Sequence, residues 1–170
     1  MLENSLKNER LERYLKTITN EAGDPTFSIL KAHLLFEELL NEYITFCLPN
    51  PTALKGARLS FAQTLALVTA LEAPGAELKW YWEALQKLNS LRNKLAHNVV
   101  LTDLQMQSQT LAKFITEKLE EPLTPSNICV INEAGNHTAT YTMIDISMVG
   151  LYAFLHGKLD RAAERDKNLA

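Results

Sequence analysis

Arg92 stands where a leucine would be expected. It lies in LQKLNSLRNKLAHN, Leu85 to Asn98, a stretch that reads as the closing turns of a helix. At about 100° per residue, Leu85, Tyr81, Leu88, Ala96 and Leu95 all fall within about 60° of it. Glu83, Lys87, Ser90 and Lys94 fall on the opposite side. Arg92 is therefore expected in the middle of an apolar stripe. A buried, unpaired guanidinium is costly, so it needs an anionic or carbonyl partner, or it must line a wet cleft. Its permanent charge and forked donors suit an anion with paired oxygens. Five residues on, His97 titrates near neutral pH when unperturbed, which suits it to carry protons. Asn93 and Asn89 lie to one side of Arg92 and add donors and acceptors.

A second set sits on an earlier helix, FSILKAHLLFEELLNEYITF. Its ordinary polar face is Lys31, Glu38, Glu42 and Thr45. Another polar stripe, His33, Glu37 and Asn41 at i, i+4 and i+8, cuts the apolar surface between Leu30, Leu34, Leu40 and Ile44. Glu37 is the expected partner of Arg92. The same pattern also suits a plain structural network that fixes helix register. His97 also suits a C-terminal capping residue beside a helix dipole. His33 and Glu37 could take two positions on a metal, but no third ligand and no H-E-x-x-H accompany them. No metal and no cofactor are expected. His137 in turn-like sequence and His156 in the last helix read as surface or packing residues. Trp80 and Trp82 point in different directions, which argues against a stacking platform.

These residues need helices to hold them, and the chain supplies them. Residues Leu2 to Asn20 repeat leucines at helical spacing. Asp24 before Pro25 signals the start of a second helix, running to about Phe46. Further helices are expected over Ala57–Leu71, Glu77 to about His97, Asp103–Glu120 and Ile144 to about Arg165. Between the last two, NICVINEAGNHTATYT is rich in β-formers around a turn, so a short β-hairpin-like insertion is expected over about 126–142. The fold class is all-α: one domain over 1–170, a bundle of five to six helices with that insertion before the last helix.

Composition agrees with an ordinary globular chain. The 170 residues are 46% hydrophobic and 22% charged, enough to bury a core without staples. The net charge is -3, which gives no support to a broad nucleic-acid-binding surface, though a local positive cleft is still allowed. Cys47 and Cys129 form no C-x-x-C pair and read as reduced thiols. The charged N-terminus has no apolar signal core, and Met148–Leu155 is too short to span a bilayer. A cytoplasmic protein without a membrane partner is expected.

RNKLAH, an Arg, a polar residue, a gap and a His at the end of a helix, resembles the signature of the HEPN superfamily. ILKAHLLFEELLNEYI resembles the long polar-studded helix that packs on the motif helix in many members. The resemblance covers about residues 25–120; the first helix and the insertion are not general features of the superfamily. It implies a metal-independent endoribonuclease, often a component of toxin–antitoxin or anti-phage defence systems. It also implies a homodimer that pools two motifs in one cleft, with an antitoxin or regulatory protein as a further partner. In that chemistry His97 takes the 2′-OH proton, the oxygen attacks the adjacent phosphorus, and Arg92 holds the phosphate. Asn93 orients the His or contacts the phosphate. Within one regular helix His97 lies about 140° around and 7.5 Å along from Arg92, so a helix end or a second chain must bring the two groups together. Some members have lost catalysis, which leaves a non-catalytic interaction or regulatory protein as the alternative.

Overall fold

A computed structural model describes Arg13 and residues 25–71, 79–97, 102–119 and 142–167; in the last helix it describes side chains to Asp160, Lys158 excepted. The described part is all-helical, with five α-helices and no strand. They are α1 (Pro25–Cys47), α2 (Phe61–Leu71), α3 (Lys79–His97), α4 (Leu104–Thr116) and α5 (Met143–Lys167). A short 3₁₀ turn, Pro51–Leu54, follows α1. The expected first helix and the hairpin-like insertion fall outside the described residues.

The central position expected for α1 is observed. It packs against α2, α3, α4 and α5, most extensively against α5, and α5 also lies on α4. Ile29, Ala32, Phe36, Leu39, Leu40 and Ile44 from α1 meet Ile144, Met148, Leu151 and Leu155 from α5 in one core. Phe36 meets Tyr152 edge-on at 5.9 Å between ring centroids. Trp80 and Tyr81 of α3 pack against Phe154 at 5.7 and 5.1 Å, while Trp82 is buried, so the two tryptophans serve packing. No helix among the described residues is long and apolar enough to cross a membrane.

Two boundaries differ from the sequence reading. The helix expected from Ala57 starts at Phe61 instead. Gly56 has φ of +91°, which turns the chain away from helix, and Ser60 and Gln63 form a reciprocal cap. The Gln63 carbonyl oxygen accepts from the Ser60 N–H at 2.9 Å, and the Ser60 hydroxyl oxygen accepts from the Gln63 N–H at 3.4 Å. The helix expected to reach Glu120 ends at Thr116. There the chain tightens into a three-residue turn, with Lys118 N–H bonded to the Ile115 carbonyl at 3.0 Å. The last helix has its own cap. The Thr142 N–H and hydroxyl both donate to Asp145 Oδ2, at 2.8 and 2.6 Å.

Candidate functional site

Helices α1 and α3 cross with their polar residues facing one another. Four of the sequence-selected residues meet there: His33 and Glu37 from α1, Asn89 and Arg92 from α3. His33 is buried, at 5% exposure, although it is a polar residue among leucines. Its partners explain why that is tolerated. His33 Nε2 donates to Asn89 Oδ1 at 3.0 Å, and its Nδ1 faces Glu37 Oε2 at 4.0 Å. Phe61, the first residue of α2, stacks on the ring with centroids 4.2 Å apart and planes at 29°. Both ring nitrogens are thus turned toward protein groups.

Burial pushes the His33 pKa below its ordinary 6.5. The Asn89 hydrogen bond opposes that shift, the Arg92 charge adds to it, and the Glu37 carboxylate opposes it. In this cluster the histidine is the shielded group and the arginine is the one that reaches out.

Arg92 departs from expectation in two ways. It is half-buried, although on a regular helix it falls only about 40° from the middle of the apolar stripe, between Tyr81 and Leu85. The buried residues of α3 are Tyr81, Trp82, Ala84, Leu85, Leu88 and Leu91, so the stripe is centred near Leu88. α3 is covered by α1, α2 and α4 together. That wide arc draws Leu91 inward, and the cover thins toward the C-terminal turn, where Ala96 on the same face is exposed and Arg92 is half-buried. Nor is the expected Arg92–Glu37 salt bridge present among the described residues. Arg92 Nη1 donates instead to Asn93 Oδ1 at 3.3 Å, and Glu37 is directed at His33. A half-buried guanidinium keeps part of its hydration, so the sequence argument for a compulsory carboxylate partner does not apply in full.

Asn93 is exposed beside Arg92, and His97 is exposed as the last residue of α3. About 180° separates His97 from the stripe centre at Leu88 on a regular helix. Within one chain it therefore stands apart from the buried cluster, and the helix end does not fold it back. Asn41 is also exposed and lies about 12 Å along α1 from His33, two turns away. It lines a different concavity, shared with Thr45, Lys55 and Arg58.

His156 is buried in α5, with Nδ1 3.3 Å from Asp160 Oδ2, which fits its reading as a packing residue. His137 and Cys129 lie outside the described residues. No group of three or more His, Cys, Asp and Glu able to hold a metal occurs among the described residues. Phe61 was missed as a partner of His33. The signal was present in SFAQ, the capping pattern Ser60-x-x-Gln63, which fixes where α2 begins and thereby aims Phe61 at α1.

What this seam can do chemically is hold an anion at its rim. Arg92 offers a fixed positive charge with uncovered donors, Asn93 adds an amide, and the His33–Asn89 bond locks the helix that carries them. His97 offers an exposed imidazole on the same helix end. No family model, no curated protein and no solved structure matches this chain.

Proposed function

We propose that the protein is a metal-independent endoribonuclease of the HEPN type, acting as a homodimer in a toxin–antitoxin or anti-phage defence setting. The observation that carries this reading is the α1–α3 seam. Its Asn89–His33 hydrogen bond fixes the motif helix, with Arg92 half-buried beside it and His97 exposed at the helix end. Arg92 then grips the scissile phosphate and stabilises its added charge, while His97 removes the 2′-OH proton. Asn93 Oδ1 accepts from Arg92 Nη1 and steadies the guanidinium. Because His97 and Arg92 diverge on one helix, the reading places His97 of one chain against Arg92 of a second.

That divergence is also the observation that favours the alternative. A single chain whose Arg92 and His97 stand on different faces suits a non-catalytic interaction or regulatory protein equally well, with the seam fixing register. The two readings part in one experiment. Purified protein is incubated with single-stranded RNA in EDTA, beside His97→Ala. Cleavage by the parent alone, leaving a 2′,3′-cyclic phosphate or its hydrolysis product, supports the nuclease. No cleavage by either supports the interaction module. A substrate with deoxyribose at the scissile position should resist cutting there; cutting that survives this change rules the mechanism out.

A further inference from the structure

The polar line on α1 does not end at the seam. His33, Glu37 and Asn41 follow one another at four-residue spacing, each step turning about 40°, and one more step reaches Thr45 on the neighbouring polar face, about 120° round from His33. At its far end a concavity of about 380 Å³ opens between α1 and the segment that follows it. Asn41 and Thr45 form one wall, and Lys55 and Arg58 the other, over a floor that includes Ile44 and Leu54. Neither Lys55 nor Arg58 has an ion-pair partner among the described residues, and both are exposed. Two cations and an amide thus face one hollow without a carboxylate to satisfy them.

The backbone holds this arrangement in place. The 3₁₀ turn is closed by Ala53 N–H to the Asn50 carbonyl at 3.2 Å and Lys55 N–H to the Thr52 carbonyl at 3.0 Å. Ala57 N–H then bonds the Leu54 carbonyl at 2.9 Å across Gly56. The positive φ of Gly56 lets the chain reverse between Lys55 and Arg58, so both side chains reach the same hollow. Three residues beyond Arg58, Phe61 stacks on His33, which ties this wall back to the seam. Glu37, the acid on the line between them, is turned to His33 Nδ1.

We propose that the Asn41–Thr45–Lys55–Arg58 hollow is a phosphate-binding subsite that holds a flanking phosphodiester of the single-stranded RNA whose scissile phosphate lies at Arg92. The inference rests on the nuclease reading for the identity of the strand. The hollow lies about two helical turns from the seam, about 12 Å, so a strand laid along α1 meets a positive group at each end. This also answers how a chain of net charge -3 binds RNA: the cations are gathered at two stations along one line instead of spread over a face.

The test uses the full chain and a labelled 2′-O-methyl RNA, which binds but cannot be cut, with fluorescence anisotropy read from low to moderate salt in EDTA. Lys55→Ala/Arg58→Ala should weaken binding at least tenfold and lower the salt slope by about 0.7 for each phosphate that is no longer neutralised. Asn41→Asp, which puts a negative charge in the hollow, should weaken it in the same direction. Lys79→Ala/Lys118→Ala removes the same charge elsewhere and should leave affinity within about twofold. Circular dichroism checks that each variant is folded. If the Lys55/Arg58 variant binds and cuts as the parent does, the subsite is wrong and the nuclease reading stands. If binding depends on the hollow but ordinary RNA is never cut, the subsite stands and the nuclease reading falls. A parent chain that binds no RNA overturns both.

Discussion

His33 is held neutral by its surroundings, and that has a consequence for stability. Its folded pKa is lowered, first by burial, so near pH 6.5 the unfolded chain takes up a proton more readily than the folded one. Stability from this residue is present in full above pH 6.5 and is lost as pH falls from 6.5 toward the lowered value. A plot of Tm against pH should therefore slope downward below 6.5, and His33→Gln should flatten that part of the plot. An equal slope in the variant would assign the pH dependence to other groups. Asn89→Ala removes the bond to Nε2 and leaves a buried donor unsatisfied, at a cost of about 1–3 kcal/mol in urea unfolding. Tyr81 gives the opposite expectation. Its hydroxyl is fully buried with no hydrogen-bond partner among the described residues, and burial raises its pKa well above the ordinary 10. Tyr81→Phe should be neutral or stabilising, because it removes an unsatisfied polar atom and keeps the ring. For activity, Arg92→Ala and His97→Ala should each reduce cleavage by about 10²–10⁴, while Cys47→Ser leaves it unchanged. His97 is exposed, so its loss should cost activity without lowering Tm.

At the scale of the element, the helices are held by their ends as well as by their faces. Asp145 is fully buried and accepts two hydrogen bonds from Thr142, fixing the start of α5 where it enters the core. Asp145→Ala should cost about 1–2 kcal/mol in urea unfolding, against a few tenths for the exposed mid-helix change Thr110→Ala. Helix existence was legible in the sequence, because the apolar residues of α1 and α3 recur at helical spacing and Pro25 marks a start. Asn89, Arg92, His33 and Glu37 were also legible as a group, since each is a polar residue on or beside an apolar stripe. Which of them touch was not. Periodicity gives the face of a helix but not how many neighbours cover it or how far along it they reach, so neither the burial of Leu91 nor the partial exposure of Arg92 near the end of α3 follows from spacing. The start of α2 was misjudged because Ala57, Arg58 and Leu59 are good helix formers. The conformation at Gly56 and the Ser60–Gln63 cap outweigh that propensity.

For the molecule as a whole, the decisive quantity is how many chains make one site. His97 and Arg92 of a single chain diverge, so the nuclease reading requires two chains. Light scattering should report a dimer at the concentrations where RNA is cut, and mixing His97→Ala with Arg92→Ala protein should restore part of the activity by pairing an intact His97 with an intact Arg92. A monomer at every concentration, or no recovery on mixing, would count against the shared site.

The embrace between α1 and α5 sets the order in which this chain can mature. The two helices share the most extensive contact in the bundle, yet they are the first and last of the described helices. Closing so long a loop is entropically slow compared with docking sequence neighbours. During synthesis α1 leaves the ribosome with Phe36, Leu40 and Ile44 exposed, and the largest part of the helix's cover arrives only after α5 has been made. Until then the chain has a sticky, unfinished core and needs shelter for most of its translation.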